Sequence, residues 1–143
     1  MLGGNIGIPF SYNVQKEIKS KIAHCIHIVE LSSFQLENIY TFSPQIACIL
    51  NLSEDHLDRY SSSKEYFNAK LNIINNISKK SFFIYNEENE NLKKIKNKNK
   101  KNYISFGLNN KKNNFFLIDM KIVSAKNKKN IISCNNINLK GEH

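Results

Sequence analysis

The chain has 143 residues, 41% of them hydrophobic and 10% aromatic, enough for one ordinary domain with its own core. Its apolar runs are too short to cross a bilayer, and the start MLGGNIGIPF lacks the basic and apolar regions of a secretory signal, so a cytoplasmic chain with no membrane span and reduced cysteines is expected. The net charge of +9 is carried by the second half, where residues 71–143 hold fifteen Lys/Arg against five Asp/Glu; Asn-Lys stretches such as KKIKNKNKKN have few interleaved aromatics, which argues against nucleic acid as the partner.

In chain order, GGNIG is a tight loop where backbone could approach a ligand closely. SYNVQKEIKSKI places Val14, Ile18 and Ile22 at helical spacing, which predicts an amphipathic helix packed on a sheet. HCIHIVEL is β-branched and strand-like and stops at Glu30. SSFQLENIY then predicts a serine-capped helix with Glu37 and Asn38 facing out. IACILNL is a second strand, apolar on both faces as a parallel strand covered by helices would be. SSSKEYFNAKLNIINNI predicts a further serine-capped helix with Phe67, Leu71 and Ile74 in register. SFFIYN is a third strand, NEENENLKKI a polar helix, and NYISFG, NFFLI, MKIVSA and NINLKG are short strands separated by turns. The expected class is α/β, a mostly parallel sheet with flanking helices and a β-rich C-terminal part.

In open α/β sheets ligands bind beyond the carboxyl ends of the strands. Glu30 closes one strand, Asp55 and His56 follow another, and Lys70 lies about four turns along the helix beyond them. A carboxylate, an imidazole and a lysine converging on one edge could hold a divalent cation and the phosphates it bridges. The same residues would equally arise as a helix cap with a neighbouring hydrogen bond and a solvated lysine. His24 and His27, three apart in a strand, point to opposite faces and are not expected to share an ion. Cys25, Cys48 and Cys134 form no C-x-x-C pair and read as small core residues.

GGNIG, VELSSFQLE, ILNLSEDHLDRY and YFNAKLNI, in this order and spacing, resemble the central domain of the Mur ligases, and ELSSFQLE with EDHLDRY points to the branch that adds D-glutamate. The closing NLKGEH resembles that family's strand-to-helix junction, so the resemblance spans residues 1–143. It implies a P-loop-type, ATP-binding fold and an ADP-forming acid–D-amino-acid ligase of peptidoglycan precursor synthesis. The implied substrates are UDP-N-acetylmuramoyl-L-alanine, ATP and D-glutamate, joined through an acyl phosphate. By the same resemblance Glu30 and His56 bind Mg2+ near the γ-phosphate. Lys70 is carbamylated and supports a second Mg2+, with Lys70 and His56 the catalytic positions. Asn5, Ser32 and Gln35 lie around the UDP-sugar.

No G-x-x-x-x-G-K-[ST] motif occurs in the chain, although the family carries one. The sequence therefore reads as part of a central domain, without the phosphate loop, the UDP-binding N-terminal domain or the C-terminal domain. The polypeptide is expected to be inactive by itself, marginally folded, and a partner for a complementary ligase fragment. A basic nucleic-acid-binding module and a degenerate remnant of the ligase are the alternative readings.

Overall fold

In the computed structural model, which describes residues 1–55, 58–95, 102–108 and 110–137, the chain forms two compact units: residues 1–41 with 56–72, and residues 42–55 with 73–143.

The first unit starts from a pair of short parallel strands, β1 (Leu2–Gly4) and β2 (Ile28–Glu30), with Gly4 opposite Glu30. The crossover between them is α1 (Phe10–Ser20). The buried residue of α1 is polar: Asn13 is 4% exposed and its Nδ2 donates to the Leu2 carbonyl at 3.0 Å. The predicted apolar stripe does not become core, since Ile18 is 70% exposed. The strand tops pack too closely for side chains. A Cβ on Gly3 would stand 2.2 Å from the Ile8 carbonyl oxygen, and one on Gly4, whose φ is +129°, 2.1 Å from that of Glu30.

After β2 the chain enters α2 (Ser33–Leu36), opened by a capping box in which Ser32 Oγ accepts from the Gln35 amide and Gln35 Oε1 accepts from the Ser32 amide. Ser62 caps α3 (Ser63–Leu71) by accepting from the Glu65 amide, and a 3-10 turn at Asn72–Ile74 follows. α3 buries Tyr66 and Ala69 against Tyr60, with Phe34 and Phe67 at the margin. Of the predicted stripe Ile74 is buried as expected, but within α3 the buried positions are Tyr66 and Ala69 in place of Phe67 and Leu71. Lys70 sits in the last turn of α3, about two turns from the Ser62 cap that sets the helix's start, rather than the four turns expected.

The second unit is a six-stranded sheet in the order β3 (Ile46–Ile49), β4 (Phe82–Asn86), β5 (Tyr103–Gly107), β6 (Phe115–Ile118), β7 (Lys121–Ser124), β8 (Lys129–Ser133). The pairs from β3 to β6 are parallel and the last two are antiparallel, so the mostly parallel sheet with a β-rich C-terminal part is as expected. Phe83 is fully buried, with Tyr85 and Tyr103 rings 5.5 and 5.1 Å away. Leu92 of α4 (Glu90–Lys93) is also fully buried.

Three expectations change here. β3 is covered on one face only: Ala47 and Ile49 are buried, while Ile46 and Leu50 are 61% and 67% exposed. β8 was not anticipated, and NINLKG lies largely outside the described residues. The cysteines are not core, since Cys48 is exposed and Cys25 and Cys134 are half-buried. Among the described residues no helix is long and apolar enough to cross a membrane.

Candidate functional site

Glu30 is the last residue of β2, and the GGNIG loop folds over it. The Asn5 amide donates to the Glu30 carbonyl at 2.8 Å, and the Ile6 amide donates to its carboxylate Oε2 at 3.1 Å. Gly4 makes this possible, because its left-handed φ and missing Cβ let the loop turn directly above Glu30. One carboxylate oxygen of this exposed residue is thereby tethered to backbone. An exposed, oriented carboxylate oxygen is a hard donor that fits Mg2+.

Lys70 is half-buried, its Nζ 5.1 Å from the centroid of the Tyr66 ring, a cation–π placement that suits the ammonium form. As an ammonium it offers no lone pair to a metal, so the residue fits an Mg2+ site only once carbamylated. Glu30 and Lys70 form no ion pair with each other among the described residues. His56 lies outside the described residues. Asn5 is exposed and meets Glu30 through its backbone, leaving its amide side chain at the surface. Ser32 and Gln35 are brought together by the capping box, so part of their hydrogen-bonding capacity already serves the start of α2.

A second polar cluster was not anticipated. Glu37, expected to face out, accepts from Arg59 Nη2 at 3.1 Å and from the Tyr60 hydroxyl. The Arg59 guanidinium lies 4.5 Å from the Phe34 ring centroid, and Phe34 stacks on Tyr60 at 6.0 Å. The Tyr60 hydrogen bond, then the Arg59 guanidinium, hold the Glu37 carboxyl below its ordinary range, while burial pushes the Tyr60 phenol up. The cluster joins the last residue of ELSSFQLE to the last two of EDHLDRY, fixing α2 against the segment that leads into α3. The signal was present in those strings, but an acid after a short helix reads as solvated until its partners are placed. A cleft of about 620 Å³ opens beside the cluster, lined by Glu37, Arg59, Tyr60, Glu65, Asn68 and Asn72.

Comparison with known proteins gives this geometry a context. The Mur ligase middle domain family matches residues 4–143. The chain is 40% identical over 148 residues to the UDP-N-acetylmuramoylalanine--D-glutamate ligase of Buchnera aphidicola from Schizaphis graminum, covering 100% of this chain and 31% of the relative. It is 40% identical over 140 residues to the Fusobacterium nucleatum protein of that name, covering 98% of this chain and 31% of the relative. The Geotalea uraniireducens relative is 45% identical over 86 residues, 59% of this chain and 18% of the relative. The chain thus spans about a third of the length of the relatives that cover it fully. On its match over residues 4–143, the chain belongs to the Mur ligase middle domain family.

Proposed function

We propose that the chain is the metal- and substrate-facing part of the ATP-binding domain of a cytoplasmic, D-glutamate-adding ligase. The observation that carries this reading is 40% identity along essentially the whole chain to relatives bearing that name. The reaction transfers the γ-phosphoryl group of ATP to the carboxylate of UDP-N-acetylmuramoyl-L-alanine, leaving ADP and an acyl phosphate. The amine of D-glutamate then attacks the acyl carbon, phosphate departs, and the ammonium proton passes to solvent.

Bound Mg2+ would supply positive charge opposite the transferred phosphoryl group. Glu30, oriented by the Ile6 amide, holds the first ion together with His56. Lys70, carbamylated by addition of CO2 to its neutral amine with loss of one proton, presents an anionic oxygen pair for a second. The Tyr66 ring beneath Lys70 limits where that group can point. Asn5, Ser32 and Gln35 line the approach of the UDP-sugar. The remaining parts of the ATP and amino-acid sites would come from the rest of such a ligase or from a complementary fragment.

The test is complementation. The chain replaces the matching segment of the Fusobacterium nucleatum relative, and the graft is expressed in cells depleted of their own D-glutamate-adding ligase. Growth is expected with the graft and not with its Glu30→Gln or Lys70→Ala forms. A graft that accumulates as soluble protein yet never restores growth would overturn the reading and favour a degenerate remnant.

A further inference from the structure

At the end of β2 remote from Glu30, the first unit gathers a carboxylate, a thiol and an imidazole that the ligase reading does not use. Glu17, Cys25 and His27 each present a donor atom, all within 4.8 Å of one another. The convergence is built by local structure. Lys21 takes the left-handed conformation at φ 50°, its amide donating to the Ile18 carbonyl at 3.3 Å, and the Ile22 amide donates to the Glu17 carbonyl at 3.4 Å. This paired closure ends α1 and turns the chain back, so that Cys25 and His27 return beside Glu17 in the helix's penultimate turn.

His27 is held from two sides. Its Nε2 lies 2.6 Å from Glu17 Oε2, and Phe10 meets the ring edge-on at a centroid distance of 5.3 Å. The side chain is only 17% exposed, and Nδ1 is buried with no hydrogen-bond partner among the described residues. Contacts within the chain leave this imidazole half satisfied, at the cost a buried unpaired polar atom carries.

We infer that Glu17, Cys25 and His27 form a binding site for a zinc-class divalent cation. Sulfur and imidazole nitrogen select borderline metals such as Zn2+ and Co2+ over Mg2+. Three protein ligands with a fourth position open to water is a regular zinc arrangement. Binding replaces the Glu17–His27 hydrogen bond with coordination and expels the Cys25 thiol proton to solvent. The site is separate from the proposed Mg2+ edge, because His27 and Glu30 stand three extended residues apart, about 10 Å. Its ion would clip the end of α1 to the approach of β2.

The experiment is titration of the reduced 143-residue chain with Co2+ alone, followed by absorption. A thiolate-to-cobalt charge-transfer band saturating at one equivalent, displaced by Zn2+ and unaffected by excess Mg2+, is expected. The band should vanish in Cys25→Ser and persist in Cys48→Ser and Cys134→Ser, while His27→Gln and Glu17→Gln each weaken binding by roughly tenfold or more. Far-UV circular dichroism matching the parent excludes misfolding of the variants, and Zn2+ should raise the midpoint of thermal unfolding only where Cys25 is present. Absence of a saturable band, or a band that survives Cys25→Ser, would overturn the site.

Discussion

Changing Gly4 to alanine tests how the loop is held over Glu30. The new Cβ would lie 2.1 Å from the Glu30 carbonyl oxygen and 2.9 Å from its amide nitrogen, and both contacts are backbone. The strands must therefore part by about an ångström, which stretches the 2.8 Å bond from the Asn5 amide beyond useful length. Alanine at φ +129° adds backbone strain of about 1–3 kcal/mol. Loss of one neutral hydrogen bond adds about 1 kcal/mol, and the Ile6 bond adds less because the Glu30 carboxylate is solvent-exposed. The expected destabilisation is on the order of 3 kcal/mol. Gly7 is the control: its φ is +80° but nothing lies within 4 Å of the position a Cβ would take, so Gly7→Ala should cost about 1–2 kcal/mol from strain alone. Urea unfolding followed by circular dichroism gives the stability change, and amide exchange at Asn5 and Ile6 reports the two bonds directly. Equal costs for the two variants, with Asn5 and Ile6 still protected in Gly4→Ala, would refute the close packing of loop on strand.

Ser32→Ala removes one side of the capping box and should cost about 1 kcal/mol, seen in urea unfolding and as faster exchange of the Gln35 amide. Glu37 has a folded pKa below its ordinary value of 4.5, first through the Tyr60 hydroxyl and then through Arg59. Its contribution is therefore complete above the unfolded value and is lost as pH falls through the lower folded one, so Glu37→Gln should flatten the acid limb of a stability-versus-pH curve. Tyr85 behaves in the opposite sense: burial, then its hydrogen bond to Glu87, raise the phenol to about 12. Stability should hold up to the ordinary value of 10 and decline above it as the unfolded phenol ionises first. Alkaline titration of phenolate absorbance should find late-ionising tyrosines, since the Tyr60 phenol is also raised, and the component near 12 should be absent in Tyr85→Phe.

Local chemistry made parts of this structure legible before any contact was known. Ser32 and Ser62 announced their helices because a hydroxyl preceding an apolar-periodic run satisfies amides that the helix itself cannot. SFFIYN and NYISFG were evident as strands from β-branched and aromatic runs between turns. Burial was less legible. Val14, Ile18 and Ile22 have helical spacing, yet the inward position of α1 belongs to Asn13, which bonds the Leu2 carbonyl, a use that periodicity does not encode. β3 was expected to be covered on both faces, but IACI alternates in the structure between buried and exposed. β8 was hidden because its lysine and asparagine resemble the loops around it, and only pairing with β7 makes it a strand.

The site was legible unevenly for a similar reason. Glu30 at a strand end and the glycines before it could be read from position, and the structure joins them through two amide donors. Glu37, Arg59 and Tyr60 depend on contacts across more than twenty residues, and Glu17, Cys25 and His27 on the reversal after α1. Neither cluster has a fixed spacing that would mark it in one dimension.

The central claim, that this segment serves a D-glutamate-adding ligase, is tested most directly by phosphate release from the purified Fusobacterium graft. Release is expected only when ATP, Mg2+, UDP-N-acetylmuramoyl-L-alanine and D-glutamate are all present, and should be abolished by Glu30→Gln. A folded graft that releases phosphate equally without D-glutamate, or equally well after Glu30→Gln, would contradict it.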